Sequence, residues 1–387
     1  MNGNEVSFHL VPQTTATSGL PSTPAWQEMR RVNGDFDKSR ELTQSNEIDS
    51  TGQAPKYAPT ASSVQGSFDD EFPIADLPTR LILASVLRGS FSADLAISAT
   101  TIAATATGFT DSANGFGSVA VGDYIKLGGL TDTTDNRVFK VTASAVGVIA
   151  TSPAPNSTET ASATITIKGS RLSSGIAQSA FGIQKRKPYA GGTVFETYQG
   201  VQFGNFAVNI TASSLVTISY TTVGLNQVAG TGQIAGATDT AASSADITSS
   251  VTDVSYWFEG APAVVTTLNY LDTSFTLDNG LSGINIIGLE GAGTLQHNPI
   301  SVNGSLTSIA SDDTEKQRFL NNTRFNIGMQ ITDADGNVLV FDFPQALYTA
   351  LPQANNGNGE IFQNSGTFGA EKSDTTAKTV TVHYIAA

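Results

Sequence analysis

The sequence predicts a mainly β protein with one convincing helix and a small β-barrel or sandwich inserted into a loop of the larger part. Three observations carry that prediction. β-Branched residues fall in short alternating runs, turn residues separate the runs, and helix signals are scarce.

Taken in order, the N-terminal stretch Met1–Gln13 carries neither the basic start nor the apolar run of a signal peptide, so no export is expected. Residues Phe72–Gly89 hold the best helix. Pro78 lies near the first helical position, Gly89 stands at the expected C-cap, and Leu81, Leu83, Ala84 and Leu87 supply the apolar face. Residues 95–170 change character, with low charge, Thr- and Ser-rich surfaces and five or six short strands. We read them as the inserted unit, with residues 1–94 and 171–387 forming the two parts of the host domain. On that division the host is complete without the insert. Val208–Thr211, Leu215–Tyr220, Thr273–Leu277 and Val380–Ile385 read as half-buried strands. The cleanest hairpin joins Phe325–Ile331 to Val338–Phe343, with Pro344 as its expected stop. A second helical turn is expected over Asp312–Leu320. Residues Gln227–Ser250, built mainly of Gly, Ala, Ser and Thr, read as a surface loop or arm.

Composition narrows the function. Cysteine is absent, so disulfides and thiolate metal sites are excluded. No apolar run is long enough for a membrane span. A net charge of −14 argues against a protein that grips nucleic acid. Between Lys187 and Lys316 lie 128 residues with 11 acids and no Lys or Arg. Wherever such a segment is exposed it presents an acid-only surface that repels phosphate. Charge is instead concentrated between Glu28 and Asp49, where 10 of 22 residues are charged, six acids and four bases.

Candidate chemistry is weak. His9, His297 and His383 lie far apart in sequence, and His383, alternating with Val382 and Tyr384, reads as a strand-surface residue. Gly230–Gly236 matches a dinucleotide fingerprint but lacks the amphipathic helix that would bind pyrophosphate. Asp333–Asn337 resembles a calcium loop, yet its Gly comes early and Pro344 stands where the bidentate Glu belongs; a hairpin turn explains it better. The acids Asp69, Asp70 and Glu71 are explained by the dipole of the following helix. No catalytic, cofactor-binding or metal-binding residue is assigned, and the chain reads as a non-enzyme.

The order of several segments carries a resemblance. Trp26 and the charged strand with Gly34 come first, then Ser45–Gln53, then Gly66–Phe72 leading into the Leu-rich helix. Phe181–Lys185, Tyr198–Val201, Val302–Leu306, Phe319–Thr323, Asp335–Asn337 and Phe343–Gln345 follow. In this order the chain resembles the major tail tube proteins of long-tailed bacteriophages over roughly residues 20–94 and 171–387. The resemblance implies a β-sandwich or barrel flanked by a helix, with the insert on the outside. It also implies hexameric rings stacked into a tube whose acidic lumen conducts DNA during ejection without sequence-specific binding. The implied partners are the chain itself and other tail proteins (tape measure, tail terminator and distal tail protein), in a virion assembled in the host cytoplasm. No membrane partner is implied.

Two groups of residues are assigned on this basis. Arg30, Arg31, Asp35, Asp37, Lys38, Arg40 and Glu41 are expected to set register between subunits. Glu196, Asp239, Asp246, Asp253, Asp272 and Asp278 are the expected lumen acids. Residues 1–25 and 227–250 are expected to become ordered on assembly. The rival reading is a secreted or surface carbohydrate-binding protein, in which Trp26, Trp257, Tyr256 and Tyr198 stack on sugars.

Overall fold

Among the described residues, ten antiparallel strands follow one another across the main sheet. Their order is Asn33–Gln44, Tyr57–Glu71, Thr217–Gly224, the second half of Gly192–Thr211, Tyr270–Asp278, Ser301–Ile309, Gln363–Ala370, Val338–Ala350, Phe325–Thr332 and Val254–Phe258. The computed structural model describes residues 5–48, 50–228, 230, 232–244, 247–258, 270–310, 312–354 and 361–387. Period-2 alternation explains the sheet: Phe36, Phe68, Tyr220, Phe206, Leu277 and Val302 succeed one another across neighbouring strands on one face, all buried.

A second, smaller sheet lies across that face. It consists of Thr238–Thr240, Ala25–Glu28, Ser7–Gln13, Ala180–Tyr189, the first half of Gly192–Thr211 and Asn226–Gln227. The strand Gly192–Thr211 serves both sheets. Register breaks opposite its residues 198–201 and at Phe203/Asn205 let it turn from one layer into the other. Phe8, Leu10, Ile183, Tyr198 and Phe203 meet Phe36, Phe68 and Tyr220 between the layers, so the host is a sandwich with one apolar core.

The helix runs over Leu77–Val86, with Asp76 as N-cap and Pro78 in the first turn. Two local expectations are corrected here. Asp69, Asp70 and Glu71 end the preceding strand, and no acid stands in the first helical turn. The left-handed residue after the C-cap is Arg88, at φ 51°, rather than glycine. Gly89 is needed for another reason: its N–H donates to the Ala84 carbonyl, and a Cβ there would sit 2.4 Å from the Ser173 oxygen. The second helix occupies Thr314–Leu320, within the expected stretch.

Residues 95–169 form a third sheet, ordered Leu95–Ala99, Ile165–Gly169, Tyr124–Gly128, Val138–Ala145, Val148–Ser152, Gly108–Asp111 and Ile102–Thr105. It has its own core around Phe109, Phe116, Ile125, Phe139 and Ile167. The strand Ile165–Ser173 does not stop at the expected boundary. Its first half belongs to this sheet, and Ser170–Ser173 continues beside Thr381–Ile385, which in turn pairs with Val338–Asp342 of the main sheet.

The junction is buried. Tyr124 and Val138 pack with Trp257, Val338, Val340 and Ile385. Lys140 binds Asp342 at 3.0 Å, and Arg171 binds Asp123 at 2.8 Å. His383 is not a surface residue: it is 1% exposed, its ring lies 4.8 Å from that of Tyr124, and its Nδ1 accepts the Tyr124 N–H at 3.4 Å. Alternation did place it opposite Val382, but the third sheet covers that face. Burial, with Arg171 and Lys140 nearby, lowers its pKa to about 3.

Three loop expectations change as well. Residues 7–13 are a strand with Phe8 and Leu10 in the core, so part of the expected N-terminal arm already belongs to the sandwich. Within 227–250, Thr238–Thr240 pairs in parallel with Ala25–Gln27; residues 229, 231, 245 and 246 lie outside the described residues. Pro344 does not end its strand, which continues to Ala350 across a register break at that point.

Candidate functional site

The other face of the main sheet is polar. Register places on it Ser63, Gln65 and Ser67; Thr217, Ser219 and Thr221; Asn205 and Asn209; Ser274 and Thr276; Asn303, Ser305 and Thr307; and Thr367. The acids on the same alternation are Asp35, Asp37, Glu41, Asp69, Glu71, Asp272 and Asp278. The only bases in these strands, Lys38 and Arg40, fall on the opposite alternation. The face therefore carries hydroxyls, amides and carboxylates with no ammonium or guanidinium from its own strands.

Of the six expected lumen acids, this face unites Asp272 and Asp278, near the two ends of Tyr270–Asp278. Three others lie elsewhere. Glu196 pairs with Lys187 at 2.6 Å in the second sheet. Asp239 pairs with Arg186 at 2.5 Å, and that hydrogen bond lowers its pKa. Asp253 accepts from the Ser249 N–H and closes a turn. Asp246 lies outside the described residues. Asp69 and Glu71 also lie on this face and were not grouped with it from sequence. The signal was available in Phe68-Asp69-Asp70-Glu71, where alternation puts Phe68 and Asp70 inside and the other two outside. Asp70 is indeed buried, and burial lifts its pKa to about 7, against the pull of Arg30.

The strand Asn33–Gln44 is an edge: among the described residues it pairs only with Tyr57–Glu71. Its distal half and the facing residues Tyr57–Thr60 are exposed, so the hairpin projects beyond the sandwich as an arm. Gly34 at its root is required, since at φ 123° a Cβ would lie 2.4 Å from the Ser67 oxygen.

The seven residues expected to set register sit on or beside this edge, and most already have partners within the chain. Lys185, only 5% exposed, binds Asp35 at 2.5 Å and Asp37 at 3.7 Å, drawing both carboxylates round the open margin. Arg40 and Lys38 share Glu290, at 2.5 and 3.5 Å. Arg31 donates to the Val6 carbonyl and Arg30 to that of Ser243. Glu41, Asp69, Glu71, Asp272 and Asp278 form no ion pair among the described residues.

The histidines do not converge. His9 and His383 are buried in different layers, and His297 bonds Gln202 at 2.7 Å. Among the described residues no group of His, Asp and Glu could hold a metal ion, and no helix is long and apolar enough to cross a membrane. The sugar-stacking alternative loses its platform: Trp26, Trp257 and Tyr198 are at most 1% exposed, inside the protein. Asp333 accepts from Asn337, both main chain and side chain, as a turn requires.

No curated protein matches the chain. The family model described as phage tail tube protein matches residues 3–370. That span includes the sandwich, the arm and the third sheet, and the chain belongs to the phage tail tube protein family, a structural component of the virion tail.

Proposed function

We propose that copies of this chain close into hexameric rings, stack into a tube and line a conduit through which DNA leaves the particle. The observation that carries this reading is the acid-and-hydroxyl face, free of basic residues on its own strands. A surface of that kind repels a polyanion at every point along its length and offers it no counterion-releasing contact. Ring closure is supported by the open edge at Asn33–Gln44, where unpaired strand-edge groups invite a neighbouring strand. Rings and stacks both use heterologous contacts, and the stacks can extend indefinitely.

In this reading residues 95–170 are an added module on the outer wall. The stretch Arg30, Arg31, Asp35, Asp37, Lys38, Arg40 and Glu41 forms part of the contact between copies. Asp272 and Asp278, joined by Asp69 and Glu71, face the lumen. Assembly takes place in the host cytoplasm, with the tape measure, tail terminator and distal tail protein as further partners.

The test is electron microscopy of the purified chain at rising concentration, with hollow tubes as the expected result. Particles of uniform monomer at every concentration and salt would overturn the reading. Replacing Asp69 and Asp272 by Lys should leave tubes intact yet make them retain DNA; tubes that stay indifferent to DNA would remove these acids from the lumen.

A further inference from the structure

A second hairpin leaves the main sheet beside the arm. Its strands, Ser282–Asn285 and Ala292–Gln296, are joined through Ile286-Ile-Gly-Leu-Glu-Gly291. Leu295 is anchored inside, but Ile286, Ile287 and Leu289 are 47%, 103% and 58% exposed, an apolar tip on a chain rich in polar surface. Glu290, in the same tip, accepts from Arg40 at 3.1 and 2.5 Å and lies 3.5 Å from Lys38. One carboxylate thus ties both cations of the strand Asn33–Gln44 to the hairpin. A groove of about 600 Å³ runs between the two, bordered by Ser39, Arg40, Ser63, Val223, Gly283 and Ala292.

We propose that this hairpin is a docking element for a second copy of the chain, engaged head-to-tail along the tube, and that Glu290 is the positioning residue that holds the arm in line with it. The proposal rests on the tube reading above. Its occupant is argued from the far end of the same strands. Thr217–Gly224 finishes at the groove, where Val223 and Gly224 are lining residues, and begins beside Leu215. Leu215 and Val251 are 38% and 70% exposed, and their loops are joined by the bond from the Ser250 N–H to the Ser214 carbonyl. An apolar tip and an apolar foot therefore stand at opposite ends of one strand. Translating one copy along that strand brings tip to foot, and the contact repeats without closing. Exposed apolar clusters of this kind mark interaction surfaces.

The experiment uses the full chain, with assembly followed by sedimentation and microscopy and folding followed by thermal melting. Ile287→Asp should melt like the wild type while raising the concentration needed for tubes by at least about tenfold. Glu290→Gln should raise it about two- to fivefold, the range an exposed ion pair supports. The exchange Arg40→Glu with Glu290→Arg should restore it. Ile176→Asp, at an 86% exposed site outside the hairpin, is the control and should assemble normally. Because the chain has no cysteine, Ile287→Cys combined with Val251→Cys adds a covalent readout: a short bismaleimide should give a ladder of dimers, trimers and higher species. Tubes formed equally well by Ile287→Asp, an equal loss in the Ile176 control, or tubes without a ladder would overturn the proposal and leave the tube reading standing. Absence of tubes in the wild type would overturn both.

Discussion

The third sheet and the arm both depart from the main sheet, and they do so in opposite ways. The third sheet is joined through a shared strand, a buried aromatic stack and a half-buried ion pair; Tyr124 and Trp257 lie 5.7 Å apart, and Lys140 reaches Asp342. The arm is joined only by its own backbone and by ion pairs at its margin, with Leu42 and Tyr57 left 56% and 65% exposed. One appendage has spent its apolar surface inside the chain, while the other keeps it outside. Damage to the first should therefore register as lost stability, and damage to the second as lost association.

The largest effect should come from removing residues 95–170. The sequence division makes the host complete without them, but the structure makes Trp257, Val338, Val340 and Ile385 depend on them for cover. Excision should give insoluble or unfolded chain, and recovery of a soluble, cooperatively melting host would dissolve the comparison. Trp257→Ala should cost about 3–5 kcal/mol in urea unfolding, the usual penalty for a fully buried aromatic. Lys140→Met should cost about 2 kcal/mol, because Asp342 would remain buried without its cation.

A pH titration of stability sharpens the same side. The folded pKa of His383 lies near 3, below its ordinary 6.5, so the neutral ring is favoured in the folded state. Its contribution is complete above pH 6.5 and is lost as pH falls toward 3. His383→Leu should flatten the wild-type slope across that window, although His9, whose pKa burial lowers to about 4, will keep part of it. An unchanged slope would mean the junction opens before the ring is protonated. The smallest effect on stability belongs to the arm. Leu42→Ser or Tyr57→Ser should shift unfolding by no more than about 0.5 kcal/mol while weakening assembly. A larger shift in melting would show that the arm is part of the core after all.

Much of the fold was legible because it depends on neighbours in sequence. Alternation identified the strands through Leu277, Phe325–Ile331 and Val380–Ile385, and a Pro within its first turn identified the helix. The acid face was half legible. Asp272 and Asp278 show their alternation locally, but grouping them with Asp69 and Glu71 requires strand order, which no local pattern encodes. Glu196 and Asp239 are ion-paired to Lys187, on the adjoining strand, and to Arg186, three strands away, and neither pairing is encoded in a local pattern. His383 was misplaced, and the rival reading put the tryptophans outside, for one reason: polarity and size say nothing about whether a distant segment will cover a residue. The charged stretch at 28–49 stands out in the sequence, but its intrachain partners do not. Its partners Lys185 and Glu290 lie some 150 and 250 positions away, beyond any sequence window.

The shared strand also bears on how the chain reaches this state. Ser170–Ser173 pairs with residues 208–214 positions further along, Thr381–Tyr384, and those same residues complete the edge of Val338–Asp342. Closing so long a loop is among the slower steps a chain can take. Until it happens, two strand edges and the Trp257 pocket stand open together. A seam that must wait for so distant a partner is thus also exposed to mispairing with other copies, so yield of native subunit should fall as refolding concentration rises, well before any tube could form.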